Sequence, residues 1–146
     1  MLALALAAVA FVLRGKGRLP STPDEAVNRF FQAAERGDAP AYLAITAADL
    51  RRSFEATQSQ LGPAAFAASL RESVAGMKGR AISQLDASPD RAEVKVDMVF
   101  SDHNLRQRFV LVRQGDGWLI AEIDRADTIK PPIPYNAPVF DTGSEY

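Results

Sequence analysis

Hydrophobic positions follow a helical period in the first half of this chain and a two-residue period in the second, and the change near residue 79 divides the fold. Val27, Phe30, Phe31 and Ala34 stand at i, i+3, i+4 and i+7, which places them in one stripe along a helix. Thr22 is a capping residue, Pro23 suits the first helical position and Glu25 completes a capping box, so a helix starts there and Gly37 stops it. Asp38 opens a short second helix carrying Tyr42, Leu43 and Ile45. Thr46-Ala47-Ala48-Asp49 has the form of another capping box and leads into a third helix with Leu50, Phe54, Thr57 and Leu61 on one side. Gly62-Pro63 breaks the chain, and a fourth helix carries Phe66, Leu70, Val74 and Met77.

Beyond Gly79 the pattern is extended. Residues 80–87 predict a first strand and Ser88-Pro89-Asp90 a turn. In 92–101, Val94, Val96, Met98 and Phe100 face one way while Glu93, Lys95 and Asp97 face the other. Asp102-His103-Asn104 is a second turn, 105–113 a third strand, Gln114-Gly115-Asp116-Gly117 a hairpin loop and 118–126 a fourth strand. The third and fourth strands are apolar on both faces: Phe109 and Leu111 oppose Val110 and Val112, and Trp118 and Ile120 oppose Leu119, Ala121 and Ile123. Helices cover one face of such a sheet, so the other calls for a second cover. Residues 130–140 hold Pro131, Pro132, Pro134 and Pro138, which favours an extended tail with Tyr135, Val139 and Phe140 free to dock. The chain thus divides into residues 1–18, a domain over 19–130 and a proline-rich tail over 131–146. Its fold class is α+β, with N-terminal helices on one face of a curved four-stranded antiparallel sheet.

The first segment is of a different kind. Met1 to Leu13 contains no polar position, and Arg14, Lys16 and Arg18 follow. A helix of that length reaches about 20 Å, against roughly 30 Å of hydrocarbon core. Three readings stay open: the end of an anchor that starts upstream, a signal peptide cut after Ala8-Val9-Ala10, or a buried helix. The expectation is membrane targeting with the domain on the extracytoplasmic face, although the basic residues after the run argue the opposite orientation.

Composition narrows the chemistry. With 47% hydrophobic and 24% charged residues, the chain has the makeup of a globular domain that folds on one core. A net charge of −1 gives no field that would favour nucleic acid. The absence of cysteine excludes disulfides, thiol catalysis and thiolate metal sites.

Thr22-Pro23-Asp24-Glu25-Ala26-Val27, then Phe30-Phe31-x-Ala33-x-x-x-Gly37-Asp38, then Tyr42-Leu43, resembles the opening of NTF2-like (cystatin-like, SnoaL-type) domains. Gly115-Asp116-Gly117-Trp118-Leu119-Ile120-Ala121-Glu122-Ile123 resembles their last hairpin. The resemblance covers roughly residues 22–126. It implies a cone-shaped fold with a pocket between helices and sheet, and no single activity, since such folds host enzymes, binding modules and assembly domains.

The candidate pocket residues are Tyr42, Asp97, Arg108 and Trp118. Tyr42 can point a hydroxyl inward, or serve as amphipathic core. Asp97 would be an acid/base carboxylate, as some SnoaL-type enzymes use, or part of a solvated strand face with Glu93 and Lys95. Arg106 and Arg108 would form an anion site, or pair across strands with Glu122 and Asp124. Trp118 reads first as packing. His103, the only histidine, reads as a turn residue rather than a base or metal ligand. No phosphate loop, nucleophile elbow or zinc motif is present, and neither a catalytic residue nor a cofactor is expected. The partners expected are a hydrophobic small molecule in the pocket, a second copy of the chain (a homodimer) or another protein on the open sheet face, and the membrane through the N-terminal segment. These features predict a non-catalytic binding or assembly domain. The alternative is a small cone-pocket isomerase or cyclase acting on a hydrophobic substrate.

Overall fold

The structure, a computed structural model, describes residues 19–129. The apolar segment, the basic residues after it and the proline tail with its Tyr135 anchor lie outside the described residues. Four helices come first: α1 Pro23–Arg36, α2 Ala39–Ala44, α3 Ala48–Leu61 and α4 Pro63–Ser73. Five strands follow: β1 Gly79–Ala87, β2 Arg91–Val99, β3 Asn104–Gln114, β4 Gly117–Ile123 and β5 Asp127–Ile129. All neighbours are antiparallel, in the order β1-β2-β3-β4, with β5 pairing β3 beside β4. This is the α+β arrangement that the resemblance implies, with a short fifth strand added. None of the described helices is long and apolar enough to cross a membrane.

The start of α1 is built as its residues dictate. The Thr22 hydroxyl accepts the Glu25 N–H at 3.1 Å, while the Glu25 carboxylate takes the Ser21 N–H at 3.3 Å and the Arg29 guanidinium at 2.6 Å. Gly37 closes the helix at φ 66°, its N–H on the Ala34 carbonyl and that of Asp38 on Ala33. The stripe then does what its period requires: Val27, Phe30, Phe31 and Ala34 are buried against the sheet. On the sheet side they meet Val94, Val96, Phe109, Leu111 and Ile120. Phe109 is wholly buried, and removing such a side chain from water stabilises the fold by about 1.5–3 kcal/mol. Arg80 on β1 closes one side, bonding Asn28 Oδ1 at 3.2 Å and Glu35 Oε2 at 3.0 Å with its guanidinium 5.0 Å from the Phe31 ring centre.

Thr46 departs from the sequence expectation. It does not cap α3, whose N-cap is Ala47, without any side-chain hydrogen bond. Thr46 instead forms an isolated parallel bridge to Ile120, flanked by Ile120 N–H to Ile45 O at 2.9 Å and Ala47 N–H to Ile120 O at 2.8 Å. Its hydroxyl turns back to the Leu43 carbonyl at 2.7 Å. A capping box is a local pattern, and here a tertiary bridge claims the same residue. α3 also buries less than its stripe promises: Leu50 and Phe54 pack partly on the core, while Leu61 is 50% exposed.

The sheet carries two irregularities near its β4 edge. The pairing steps from Val110↔Glu122 to Leu111↔Ile120, which leaves Ala121 as an extra residue. That bulge turns Ile123 to the helix side, where it packs against the core, contrary to simple alternation from Leu119. A second extra residue lies between the pairs Phe109↔Ile123 and Arg106↔Asp127, within 124–126. On the outward face Val110 and Leu119 are buried, as a sheet apolar on both sides requires.

Candidate functional site

One cavity of about 460 Å³ lies between the helices and the end of the sheet where β2, β3, β4 and β5 meet. Phe30, Phe31 and Ala34 come from α1, Tyr42 from α2, Leu50 and Phe54 from α3, and Ser73 and Val74 from the end of α4. Met98, Leu105, Gln107, Ile123, Asp124, Arg125 and Ala126 come from the sheet side. The wall is aromatic because the α1 stripe, α2 and α3 converge on it. Tyr42 stacks on Phe30 at 4.3 Å between ring centres and meets Phe54 edge-on at 5.1 Å.

The sequence candidates divide. Tyr42 is in the pocket, where burial raises its pKa well above that of a free phenol. Its hydroxyl bonds to no group among the described residues. Among the described residues no buried side-chain oxygen is left without a partner, so this one keeps access to solvent.

Asp97 and Arg108 are on the other face. Cross-strand partners share a face, and Val94, Val96 and Met98 point into the core, so Lys95, Asp97, Arg106 and Arg108 point out. Asp97 accepts Arg106 Nε at 2.8 Å. The Arg106 hydrogen bond, helped by the charges of Arg106 and Lys95, holds its carboxyl below the usual aspartate range. Arg108 donates to Asp124 at 2.7 Å and to Glu93 at 2.9 Å, and Glu93 also takes Arg91 at 2.8 Å. The cross-strand reading therefore holds for Arg108 and Asp124, whereas Arg106 pairs with Asp97 and not with Glu122.

Trp118 lies at the opposite end of the sheet from the cavity. It is buried, its backbone N–H donates to the Pro20 carbonyl at 3.0 Å and Arg113 stands 5.8 Å from its ring centre. His103 stacks on Phe100 at 4.7 Å and contacts Asp102 Oδ1 through Nδ1 at 2.7 Å, in the turn where the sequence places it. Among the described residues no cluster of three or more His, Cys, Asp or Glu is arranged to hold a metal ion.

Three polar residues of the cavity did not stand out in the sequence. Ser73 donates its hydroxyl to the Leu70 carbonyl at 2.7 Å. Gln107 donates Nε2 to the Asp124 carbonyl at 2.9 Å, which leaves its side-chain oxygen available. Arg125 is exposed and makes no ion pair or hydrogen bond among the described residues. The parity of β3 was the available signal for Gln107, since 105, 107 and 109 share the helix side.

No family model matches the chain, and no curated protein matches it. Three solved structures do. A protein provisionally named an NTF2-like transpeptidase from Campylobacter jejuni is 17% identical, over 69% of this chain and 99% of that one, with a TM-score of 0.49. A protein provisionally named a calcium/calmodulin-dependent protein kinase type II association domain, from Thiobacillus denitrificans ATCC 25259, is 19% identical over 77% and 98% of the two chains, with a TM-score of 0.47. An NTF-2 like protein of unknown function from Silicibacter pomeroyi DSS-3 is 15% identical over 69% and 92%, with a TM-score of 0.42.

Proposed function

We propose that the chain is a non-catalytic binding domain that takes a hydrophobic small molecule into the cavity between its helices and sheet. We further propose that its N-terminal segment holds it at a membrane, on the extracytoplasmic face. The observation that carries the binding reading is the lining of the cavity. Its wall is formed by aromatic and aliphatic side chains, and the ionisable groups that reach it are Tyr42, Asp124 and Arg125. General acid–base chemistry needs an acid and a base whose proton affinities bracket the reaction. Tyr42 holds its proton more tightly than a free phenol, Asp124 is engaged by Arg108, and a guanidinium does not release a proton in a protein. What is left is a concave apolar surface with a few polar groups, the makeup of a small-molecule binding cavity. The tether rests on the unbroken apolar run of residues 1–13 and the basic residues after it.

The test uses the neutral fluorescent probe N-phenyl-1-naphthylamine with the full chain. The probe's emission should rise saturably, and the rise should be lost in Ser73→Leu and Ala34→Leu, each of which adds bulk at the cavity wall. Absence of any saturable rise with folded protein would refute the pocket reading. Cell fractionation of the full chain against one lacking residues 1–18 tests the tether. A full chain found in the soluble fraction would refute it.

A further inference from the structure

We propose that the ligand is a single-chain amphiphile with a monoanionic carboxylate head, its tail in the cavity and its head on Arg125. This rests on the pocket reading above and assigns the ligand class to that same site. The first observation is charge balance at the rim. On the outward face Arg91 and Arg108 are matched by Glu93 and Asp124 in a closed set of ion pairs. Arg125, one residue further along, belongs to no such set and makes no ion pair or hydrogen bond among the described residues. It is the one cation that lines the cavity among the described residues.

The second observation is how the backbone aims it. Asp124 sends its carboxylate to Arg108 on the outward face, and its N–H to the Arg108 carbonyl at 2.9 Å. Ile123 before it faces the core. The residue after Asp124 therefore falls on the cavity side, and the extra residue within 124–126 lets the chain reach β5 without turning Arg125 back out. Bulges of this kind re-aim a side chain beside a binding site.

Size and charge then choose the ligand. A cavity of about 460 Å³ is at the small end of the range for small-molecule sites, which suits one chain and not two. One guanidinium balances one negative charge, and its planar fork matches the two oxygens of a carboxylate.

Titration calorimetry on the full chain at neutral pH, with decanoate, 1-decanol and decylamine, decides the matter. Decanoate is expected to bind about fivefold more tightly than decanol, the scale of a solvent-exposed charge pair, and decylamine more weakly than either. Arg125→Gln should remove the preference for decanoate over decanol, and added salt should shrink that preference in the wild type. Arg125 is exposed, so the variant is expected to fold, and an unchanged thermal transition checks it. Equal decanoate affinity in the wild type and Arg125→Gln, or decylamine binding as tight as decanoate, overturns the assignment while the pocket reading stands. Binding of none of the three overturns both.

Discussion

The carboxylate of Asp97 takes Nε and Nη2 of Arg106 at 2.8 and 3.4 Å across β2 and β3, on the face of the sheet opposite the cavity. An acid that spends both oxygens on one guanidinium, away from any concave surface, is a structural acid. Replacing Asp97 with Asn should therefore leave probe binding unchanged and cost less than about 1 kcal/mol at neutral pH, the scale of a solvent-screened pair. The Arg106 hydrogen bond lowers the Asp97 pKa in the folded state. Its contribution is thus present above the unfolded value of about 3.9 and is lost as pH falls through the lower folded value. Urea unfolding should show the two proteins differing at pH 7 and converging under strong acid. Loss of probe binding with the fold intact would return Asp97 to the site.

Arg51 holds the α2–α3 junction. Its Nε donates to the carbonyls of Leu43 and Thr46, both at 3.0 Å, and its Nη2 to Thr46 at 2.7 Å and Ala44 at 3.3 Å. The Leu43 and Ala44 carbonyls end a six-residue helix that has no glycine cap, and one fork ties them to the Thr46 carbonyl beyond it. Arg51→Met should lower stability by about 1.5–3 kcal/mol, the range for hydrogen bonds to a charged donor. It should also weaken probe binding, because α3 carries Leu50 and Phe54 into the cavity wall. Lysine should not restore either property, since an ammonium cannot reproduce the fork. An Arg51→Lys variant as stable as the wild type would contradict this account.

Sequence reasoning succeeded where a structure is fixed locally. Thr22, Gly37 and Gly62-Pro63 mark helix ends by backbone chemistry, and the alternation of β2 tells Val94, Val96 and Met98 from Glu93, Lys95 and Asp97. It failed where a distant strand decides. Thr46 has the local form of a cap and is taken by Ile120. Neither extra residue beside β3 leaves a mark in the pattern, so simple alternation puts Ile123 on the wrong face and does not mark 127–129 as a strand. The site followed the same division. Tyr42 was legible because α1 and α2 are; Asp97 and Arg108 were given the right side of their strands, but which side the pocket takes depends on the helices. Arg125 was not singled out, because its aim depends on the pairing of Asp124 and on the extra residue that follows.

Replacing Gly37 should cost more than the strain in its backbone alone. At φ 66° a side chain is strained, and a Cβ there would meet the Arg71 guanidinium and stand 3.2 Å from the Ala67 carbonyl oxygen. Arg71 can swing away, but the Ala67 carbonyl belongs to the backbone of α4. Gly37→Ala should lose about 1–2 kcal/mol from the left-handed backbone alone. Gly115→Ala, at φ 63° with open space around it, should lose the backbone share only. Thermal unfolding of the two variants side by side tests the contact, and equal losses would show that it carries no weight.

Tyr42 offers the most direct reading of the cavity, because one atom distinguishes it from phenylalanine and that atom bonds to no protein group among the described residues. Removing the hydroxyl leaves no partner orphaned, so Tyr42→Phe should change stability at pH 7 by less than about 1 kcal/mol. The stacking on Phe30 and the edge contacts with Phe54 and Phe66 are kept. The difference should emerge in alkali. Burial raises the folded-state pKa of Tyr42 because a phenolate there would lose its hydration. The contribution of the neutral hydroxyl is therefore complete below the unfolded value of about 10 and is lost as pH rises from there towards the folded value. Denaturant unfolding at pH 8 and pH 11 should show the wild type losing more stability over that interval than Tyr42→Phe. Equal losses would mean that the phenol ionises as easily in the fold as in the open chain, and so that the cavity wall is wet at Tyr42. The same pair of proteins separates two binding modes. A purely apolar probe that packs over the ring should bind Tyr42→Phe at least as tightly, since no hydroxyl need be desolvated. A marked loss of affinity would show instead that the hydroxyl donates to the ligand, which would add a second polar anchor in the cavity.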